Sequence, residues 1–563
     1  MRWTIQPRPS RQKVEHLANA LGVDHVIASL LVQRDIDTFE KAEKFFRPQL
    51  QDLHDPYLMT DMTEAVNRIE QAISNKENIL IYGDYDVDGT TSVALLSSFL
   101  NTYYPNVATY IPDRYGEGYG ISFKGIEFAA DNDFSLIIAL DCGIKAIDKV
   151  QYATERGIDF IICDHHRPGP EIPKAVAVLD PKREDCNYPF KELCGCGVGF
   201  KLVQALGQKQ GLEITDLLLY LDLVATAIGA DIVPITGENR ILAYYGLKVI
   251  NSNPRVGFRA ILKHVQKKKL TITDVVFIIA PRINAAGRMK HGNHAVTLLT
   301  ETDSVKALTF AEEIEIFNTN RKEADKQITE EALEQIIENQ EEERITTVVY
   351  KEHWHKGVIG IVASRLTNTY YRPTLVFTKS GDMLAASARS VKGFDVYNAL
   401  EGCAEYIEQF GGHKYAAGLT LSEDQYEGFK AQFETVVSAT IDPKLLTPEI
   451  AIDTEIEMAH ITPKFHRILK QFAPFGPGNM APVFMSQNVK DTGWSKCVGD
   501  EGKHLKATFQ QGEGAKIAAI GFGLGDKNEL IKGRIRCKIA YEIDENEWQG
   551  TVSLQLKLKD IKG

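Results

Sequence analysis

Five short aliphatic runs recur between residues 79 and 179, at 79–82, 107–111, 136–140, 160–163 and 175–179. Each is apolar on both faces and is followed by a loop and an amphipathic stretch. Strands covered on both sides lose the in–out alternation of a half-exposed sheet, so the pattern predicts βα units around a buried parallel sheet. Residues 198–265 then read as mostly helical. From residue 301 to 344 there is no Gly or Pro, and apolar positions recur at Leu308, Ala311, Ile314, Ile328, Leu333 and Ile336. That spacing predicts one long helix or a helical pair. A second mixed unit starts near residue 346, with strands near 374–378 and 383–387. After Pro448 come short alternating segments (516–522, 534–543, 551–558) between Gly-rich turns, the pattern of a small β-barrel.

Composition changes this picture little. The most apolar stretch, 217–233, contains Asp222 and Asp231 and reads as a buried helix instead of a membrane span. The N-terminus has no apolar core of a secretion signal. Eight cysteines in 563 residues make no disulfide scaffold, so a reduced, cytoplasmic protein is expected. The net charge of −12 speaks against a nucleic-acid partner only superficially, because residues 451–563 carry 16 Lys and Arg against 14 Asp and Glu. The acidity therefore lies earlier in the chain, partly in a cluster that cations would neutralise.

That cluster carries the chemistry. The first run leads into Gly83-Asp84-Tyr85-Asp86-Val87-Asp88-Gly89-Thr90-Thr91-Ser92. Alternation in extended backbone would point Asp84, Asp86 and Asp88 the same way. Three like charges so close repel unless hard divalent cations neutralise them. A turn with one capping aspartate explains one of the three. The next runs end in Asp141-Cys142-Gly143 and Asp164-His165-His166, and ligands of open α/β sheets sit at such carboxyl ends. Mixed carboxylate and imidazole donors favour Mn²⁺, with Mg²⁺ as the alternative, and no thiolate set suits a structural zinc. Two cations about 3.5–4 Å apart would activate water for in-line displacement at phosphorus. The residues alone thus predict a metallo-hydrolase of phosphate esters or anhydrides. Asp231, after a helical run, would on its own pass for a routine helix end.

These motifs, in this order, resemble those of the DHH phosphoesterase superfamily and, within it, the RecJ exonucleases. Further segments fit the latter: Pro281-Arg282-Ile283-Asn284-Ala285-Ala286-Gly287-Arg288, Trp354-His355-Lys356-Gly357-Val358-Ile359-Gly360 and Pro474-Phe475-Gly476-Pro477-Gly478-Asn479. Gly411-Gly412-His413-Lys414-Tyr415-Ala416-Ala417-Gly418 is similar to the glycine motif of the DHH-associated domain. The resemblance implies a multidomain α/β protein. Its parts would be an N-terminal helical region (1–70), a parallel-sheet DHH catalytic domain (71–300), a linker helix (301–344), a smaller α/β DHH-associated domain (345–448) and an OB-like barrel (449–563). It implies that Asp86, Asp88, Asp141, His165 and Asp231 hold two divalent cations, with Asp141 bridging and Asp84 joining or tuning the site. Asp164 and His166 would orient ligands or meet the scissile phosphate. It also implies single-stranded-DNA-specific 5′→3′ hydrolysis releasing mononucleotides, in repair and recombination. Single-strand-binding protein and a RecQ-type helicase would be partners, and the chain a monomer.

A directional exonuclease must read the terminal phosphate, and arginine forks suit that task. Arg114, Ser387 and Arg389 are the expected readers, by similarity. Gly412 and His413 offer close backbone approach to phosphates, and Arg282, Asn284 and Arg288 supply charge and amide in one loop. Lys532, Arg534, Arg536 and Lys538 would alternate along one barrel strand as a basic face, with Phe472, Phe475 and Trp494 as stacking platforms. The Lys267-Lys268-Lys269 run is taken as a solvated face. Two rivals stand beside this reading. One is another DHH phosphoesterase, a pyrophosphatase or a nanoRNA or cyclic-dinucleotide phosphodiesterase, which the barrel and long linker disfavour. The other is a non-catalytic scaffold relative, disfavoured because every ligand position is filled.

Overall fold

The computed structural model describes residues 1 to 563. The chain opens with a strand, β1 (Arg2–Ile5), and the helices Arg11–Leu21, His25–Val32 and Phe39–Phe46. The five aliphatic runs become β2 (Asn78–Gly83), β3 (Val107–Tyr110), β4 (Phe134–Leu140), β5 (Asp159–Cys163) and β6 (Ala177–Leu179). All pair in parallel, in the order β3-β2-β4-β5-β6. Successive residues feed two separate cores. Ile79, Ile81, Ile138 and Leu140 face the larger, while Leu80, Tyr82, Ile137 and Ala139 face the smaller. That division is why neither face of these strands is polar. The order reverses between β2 and β4, so a crevice opens at their carboxyl ends.

The stretch without Gly or Pro is one helix, Ser304–Glu338, of 35 residues, roughly 50 Å long. It leads to β7 (Thr347–Tyr350), β8 (Thr374–Ser380), β9 (Met383–Arg389), β10 (Gln409–His413) and β11 (Ala416–Leu421). These form a second, mixed sheet in the order β10-β11-β9-β8-β7. Next, β12 (Glu449–Ile452) pairs in parallel with β1. The remaining strands make a seven-stranded sheet that closes into a barrel, because Phe484–Asp491 pairs with both His504–Gln511 and Arg536–Trp548. The N-terminal helices bury Val14, Leu17, Leu30 and Leu31 in the same core as Phe465, Phe484, Ile539 and Ile561 of the barrel. Arg240 fastens the parts together, donating to the carbonyls of Phe45 (3.0 Å), Phe472 (2.8 Å) and Ala473 (3.0 Å). No helix is long and apolar enough to cross a membrane.

Two sequence expectations about the barrel fail. Lys532 and Arg534 lie in a short 3₁₀ turn with a left-handed Gly533, and the strand begins at Arg536. The glycine interrupts the alternation that a continuous strand needs. Phe472 is wholly buried between Phe45 and Phe46, so it is core and not a platform. Trp494, by contrast, is 81% exposed.

Candidate metal centre

The three aspartates after β2 do not alternate along a strand. The strand stops at Gly83, Asp86 caps the helix Val87–Leu100 by accepting from Gly89 N at 3.0 Å, and Asp88 lies in the first helical turn. Helix entry wins because an aspartate cap followed by acid in the first turn suits the helix dipole. The fan of carboxylates still converges. Asp88 accepts from the backbone N–H groups of Gly195 and Cys196, both at 2.7 Å, at the start of the helix Gly195–Lys209. Asp141 follows β4 in a left-handed conformation, φ +61°, strain of roughly 1–2 kcal/mol that such sites store. Asp231 caps the carboxyl end of the helix Leu221–Ala230.

His165 stands at the centre. Its Nε2 lies 3.2 Å from Asp141 Oδ1, 3.6 Å from Asp231 Oδ2 and 3.8 Å from Asp88 Oδ2. Donor atoms of Asp88, His165 and Asp231 lie within 4.8 Å of one another, as do those of Asp141, His165 and His166. The charge balance is unfavourable without cations. Burial first, then the neighbouring Asp231 and Asp86, pushes Asp88 up to about 7. Asp231 rises to about 7 through burial and Asp86. Burial and neighbouring carboxylates raise Asp141 and Asp84 well above the usual range. Burial lowers His165, which disfavours the protonated ring.

The donor set therefore fits divalent cations. Both ring nitrogens of His165 and Oδ2 of Asp84 are buried without any hydrogen-bond partner, which leaves electron pairs for a metal. A Cβ on Gly195 would lie 2.5 Å from Asp141 Oδ1, so the cradle closes only over glycine. Asp164 does a different job. Burial opposes its charge, but the His166 hydrogen bond and charge win and hold it at about 2. It receives His166 Nδ1 at 2.7 Å and the N–H of Ile144 at 2.9 Å. His166 rises to about 9 because this bond outweighs its burial.

A cationic pocket adjoins the cluster. The Arg114 guanidinium lies over the ring of Tyr85 at 4.7 Å, and Tyr85 sits between Asp84 and Asp86. The expectation that Arg282, Asn284 and Arg288 share a loop fails, since all three lie on the helix Ala280–Met289. Its 3.6-residue period sets Asn284 and Arg288 on one face and turns Arg282 away. Arg282 binds Glu315 of the long helix at 2.6 Å, outside the pocket. Burial, then the charges of Arg114, Arg389 and Arg321, lowers Arg288 to about 10. Burial and Arg114 lower Arg389. Arg389 donates to Ser387 Oγ at 2.9 Å, and Arg288 to Gly357 O at 2.9 Å. None of Arg114, Arg288 and Arg389 pairs with a carboxylate, so a bound anion would relieve their mutual repulsion. Gly412 and His413 sit on the exposed hairpin of β10 and β11. His413 is lowered by burial and by Lys145 and His166 across the cleft.

With this geometry in place, the comparisons decide the family. Residues 78–228 match the DHH family N-terminal domain, 343–439 the DHHA1 domain and 452–560 the RecJ OB domain. The chain is 37% identical to the single-stranded-DNA-specific exonuclease RecJ of Bacillus subtilis, over all of this chain and 70% of that one. The chain belongs to the RecJ family. The RecJ of Escherichia coli K12 is 33% identical over 89% of this chain and 90% of its own length. The RecJ fold is shared in three dimensions with the Mn²⁺ complex of RecJ from Thermus thermophilus. That match has a TM-score of 0.86 and 27% identity, and covers 100% of this chain and 79% of the other. A Mg²⁺ complex from the same organism matches with a TM-score of 0.80 and 26% identity, over 100% of this chain and 78% of the other.

Sequence reasoning missed four contributors: the amides of Gly195 and Cys196 under Asp88, the left-handed turn at Asp141 and the hydroxyl of Tyr119, 3.4 Å from His166 Nε2. Only the last had a visible signal, a tyrosine between two glycines.

The charge crowding yields a measurable prediction. Asp88 and Asp231 titrate higher folded (about 7) than unfolded (about 4). The folded state then holds more protons in that window, so the contribution of these two carboxylates to metal-free stability is full below about pH 4 and is lost as pH rises through about 7. Thermal melts in EDTA should decline across this range, and Mn²⁺ should restore about 5–10 °C at pH 8. Melts in EDTA that rise steadily from about pH 5 to 8 would contradict the crowding.

Proposed function

We propose that the chain is a single-stranded-DNA-specific exonuclease that hydrolyses phosphodiester bonds from the 5′ end and releases 5′-mononucleotides. The observation that carries this reading is the adjacency of two sites. A cluster of Asp84, Asp86, Asp88, Asp141, His165 and Asp231 lies one tyrosine away from a pocket of unpaired arginines. A terminal phosphate held by Arg114, Arg288, Ser387 and Arg389 sets the next phosphodiester against the carboxylates. Such an arrangement suits a 5′ end and a one-nucleotide product.

Asp86, Asp88, Asp141, His165 and Asp231 would hold two divalent cations, Mn²⁺ by preference, with Asp84 completing the set. When bound, the pair lowers the pKa of water and stabilises charge developing at phosphorus. The protein groups do the rest. Asp164 holds the His166 ring at the crevice through Nδ1, and the arginines orient the strand. Gly412 and His413, on the opposite wall, are suited to backbone phosphates, as is Asn284 beside Arg288. Exposed Trp494 and the outward Arg536 and Lys538 offer a continuation of the strand's path on the barrel. Partners such as single-strand-binding protein belong to the same reading.

Digestion of 5′-labelled and 3′-labelled single strands, and of a blunt duplex, with Mn²⁺ or EDTA tests it. Labelled mononucleotide should appear at once from the 5′ label and late from the 3′ label, only with metal, and slowly from the duplex. Immediate release from the 3′ label, or equal attack on the duplex, refutes the proposal.

A further inference from the structure

The loop between β3 and the helix Phe123–Asp131 is built with more care than a connection needs. Glu117 accepts from Tyr110 Oη at 2.9 Å, from Ser122 Oγ at 2.5 Å and from the N–H of Asp113 at 2.9 Å. Tyr82 Oη donates to Gly120 O at 2.9 Å, and Gly120 N–H donates to Asp84 Oδ1 at 3.3 Å. Gly118 and Gly120 both adopt left-handed backbone, at φ +87° and +79°, which side chains rarely tolerate. Between them the loop presents Tyr119, 55% exposed at the crevice mouth. Its hydroxyl reaches His166 Nε2 at 3.4 Å, and its ring stands edge-on to Tyr85 at 6.0 Å.

The Asp164 bond holds only one edge of the His166 ring, through Nδ1. That bond occupies Nδ1 and leaves Nε2, the ring's other hydrogen-bonding atom, to be met by a second group. Tyr119 is that second group, reaching the ring from the opposite side of the crevice. A surface tyrosine kept only for packing would not need its hydroxyl aimed inward.

We propose that Tyr119 is a positioning residue of the hydrolysis, its hydroxyl fixing the free edge of His166 and thereby aligning that ring with the scissile phosphate. The proposal rests on the crevice being the hydrolytic site. Tyr119→Phe tests it, alone and combined with His166→Ala, on 5′-phosphorylated single strands with Mn²⁺. The loss of one positioning hydrogen bond should lower kcat about 5–10-fold while KM stays within about twofold, as expected of a contact that matters in the transition state. Mn²⁺ affinity by electron paramagnetic resonance and the thermal midpoint should match those of the unmodified protein. The double variant should be no slower than His166→Ala alone, since Tyr119 acts through that ring. Full activity in Tyr119→Phe, or losses that multiply in the double variant, overturn the positioning role while leaving the hydrolytic reading intact. An unmodified protein inert on single strands sinks both. Tyr119→Leu guards against a ring-packing explanation: a rate equal to that of Tyr119→Phe supports the hydroxyl, and a further large loss opposes it.

Discussion

Asp141→Asn is expected to reduce kcat on single-stranded DNA by at least about 10⁴-fold, the scale seen when a group essential to the chemistry is removed. The carboxylate lies 3.2 Å from His165 Nε2 and packs against the Gly195 backbone. An amide of the same shape fills that space but supplies no negative charge. Two further readings separate a lost ligand from a lost fold. Removing one charge from a crowded, buried set relieves repulsion, so the variant should melt higher than its parent in EDTA. The rise in melting temperature on adding Mn²⁺ should shrink, because the differential binding that produces it is weakened. Rates above about a tenth of the parent's would end the assignment.

Arg389→Ala carries the second large effect. Arg389 is held by Ser387 and crowded by Arg114, so its charge faces the pocket without a carboxylate. A charged hydrogen bond to phosphate contributes about 1.5–3 kcal/mol, which corresponds to about 10–150-fold in kcat/KM. That loss should appear on strands with a 5′-phosphate and nearly vanish on strands with a 5′-hydroxyl. Arg114→Ala should behave alike, with a smaller loss because the Tyr85 ring already meets part of its charge. Equal losses on both kinds of end would show that the arginines bind the strand generally and do not read its terminus.

How much of this was legible beforehand depended on whether a residue's role is written in its neighbours in sequence. Asp86, Asp88, Asp141 and His165 follow recognisable strands, and strand ends of a parallel sheet share one crevice, so their convergence could be argued from order alone. The local path was misjudged at Asp86, because an aspartate before a Gly-Thr-Thr-Ser segment caps a helix more readily than it extends a strand. Asp231 could be placed only by resemblance, since a helix-ending aspartate is common. The amides of Gly195 and Cys196 carry no side-chain signature, so their grip on Asp88 was invisible. Arg282 and Arg288 look equivalent in sequence, yet the helical period sends one to Glu315 and the other to the pocket. In the barrel, Phe472 and Trp494 are both aromatic, and only the three-dimensional arrangement makes one core and the other surface.

The partnership of the first helices with the last strands has a consequence for synthesis of the chain. Val14, Leu17, Leu30 and Leu31 share their core with barrel residues from Ile456 onward. While a ribosome is still producing the intervening segments, those helices have nothing to cover them, and contacts of such long sequence separation form slowly. Until the barrel strands have been made, these helices thus keep an oily, unpaired face open to chaperones.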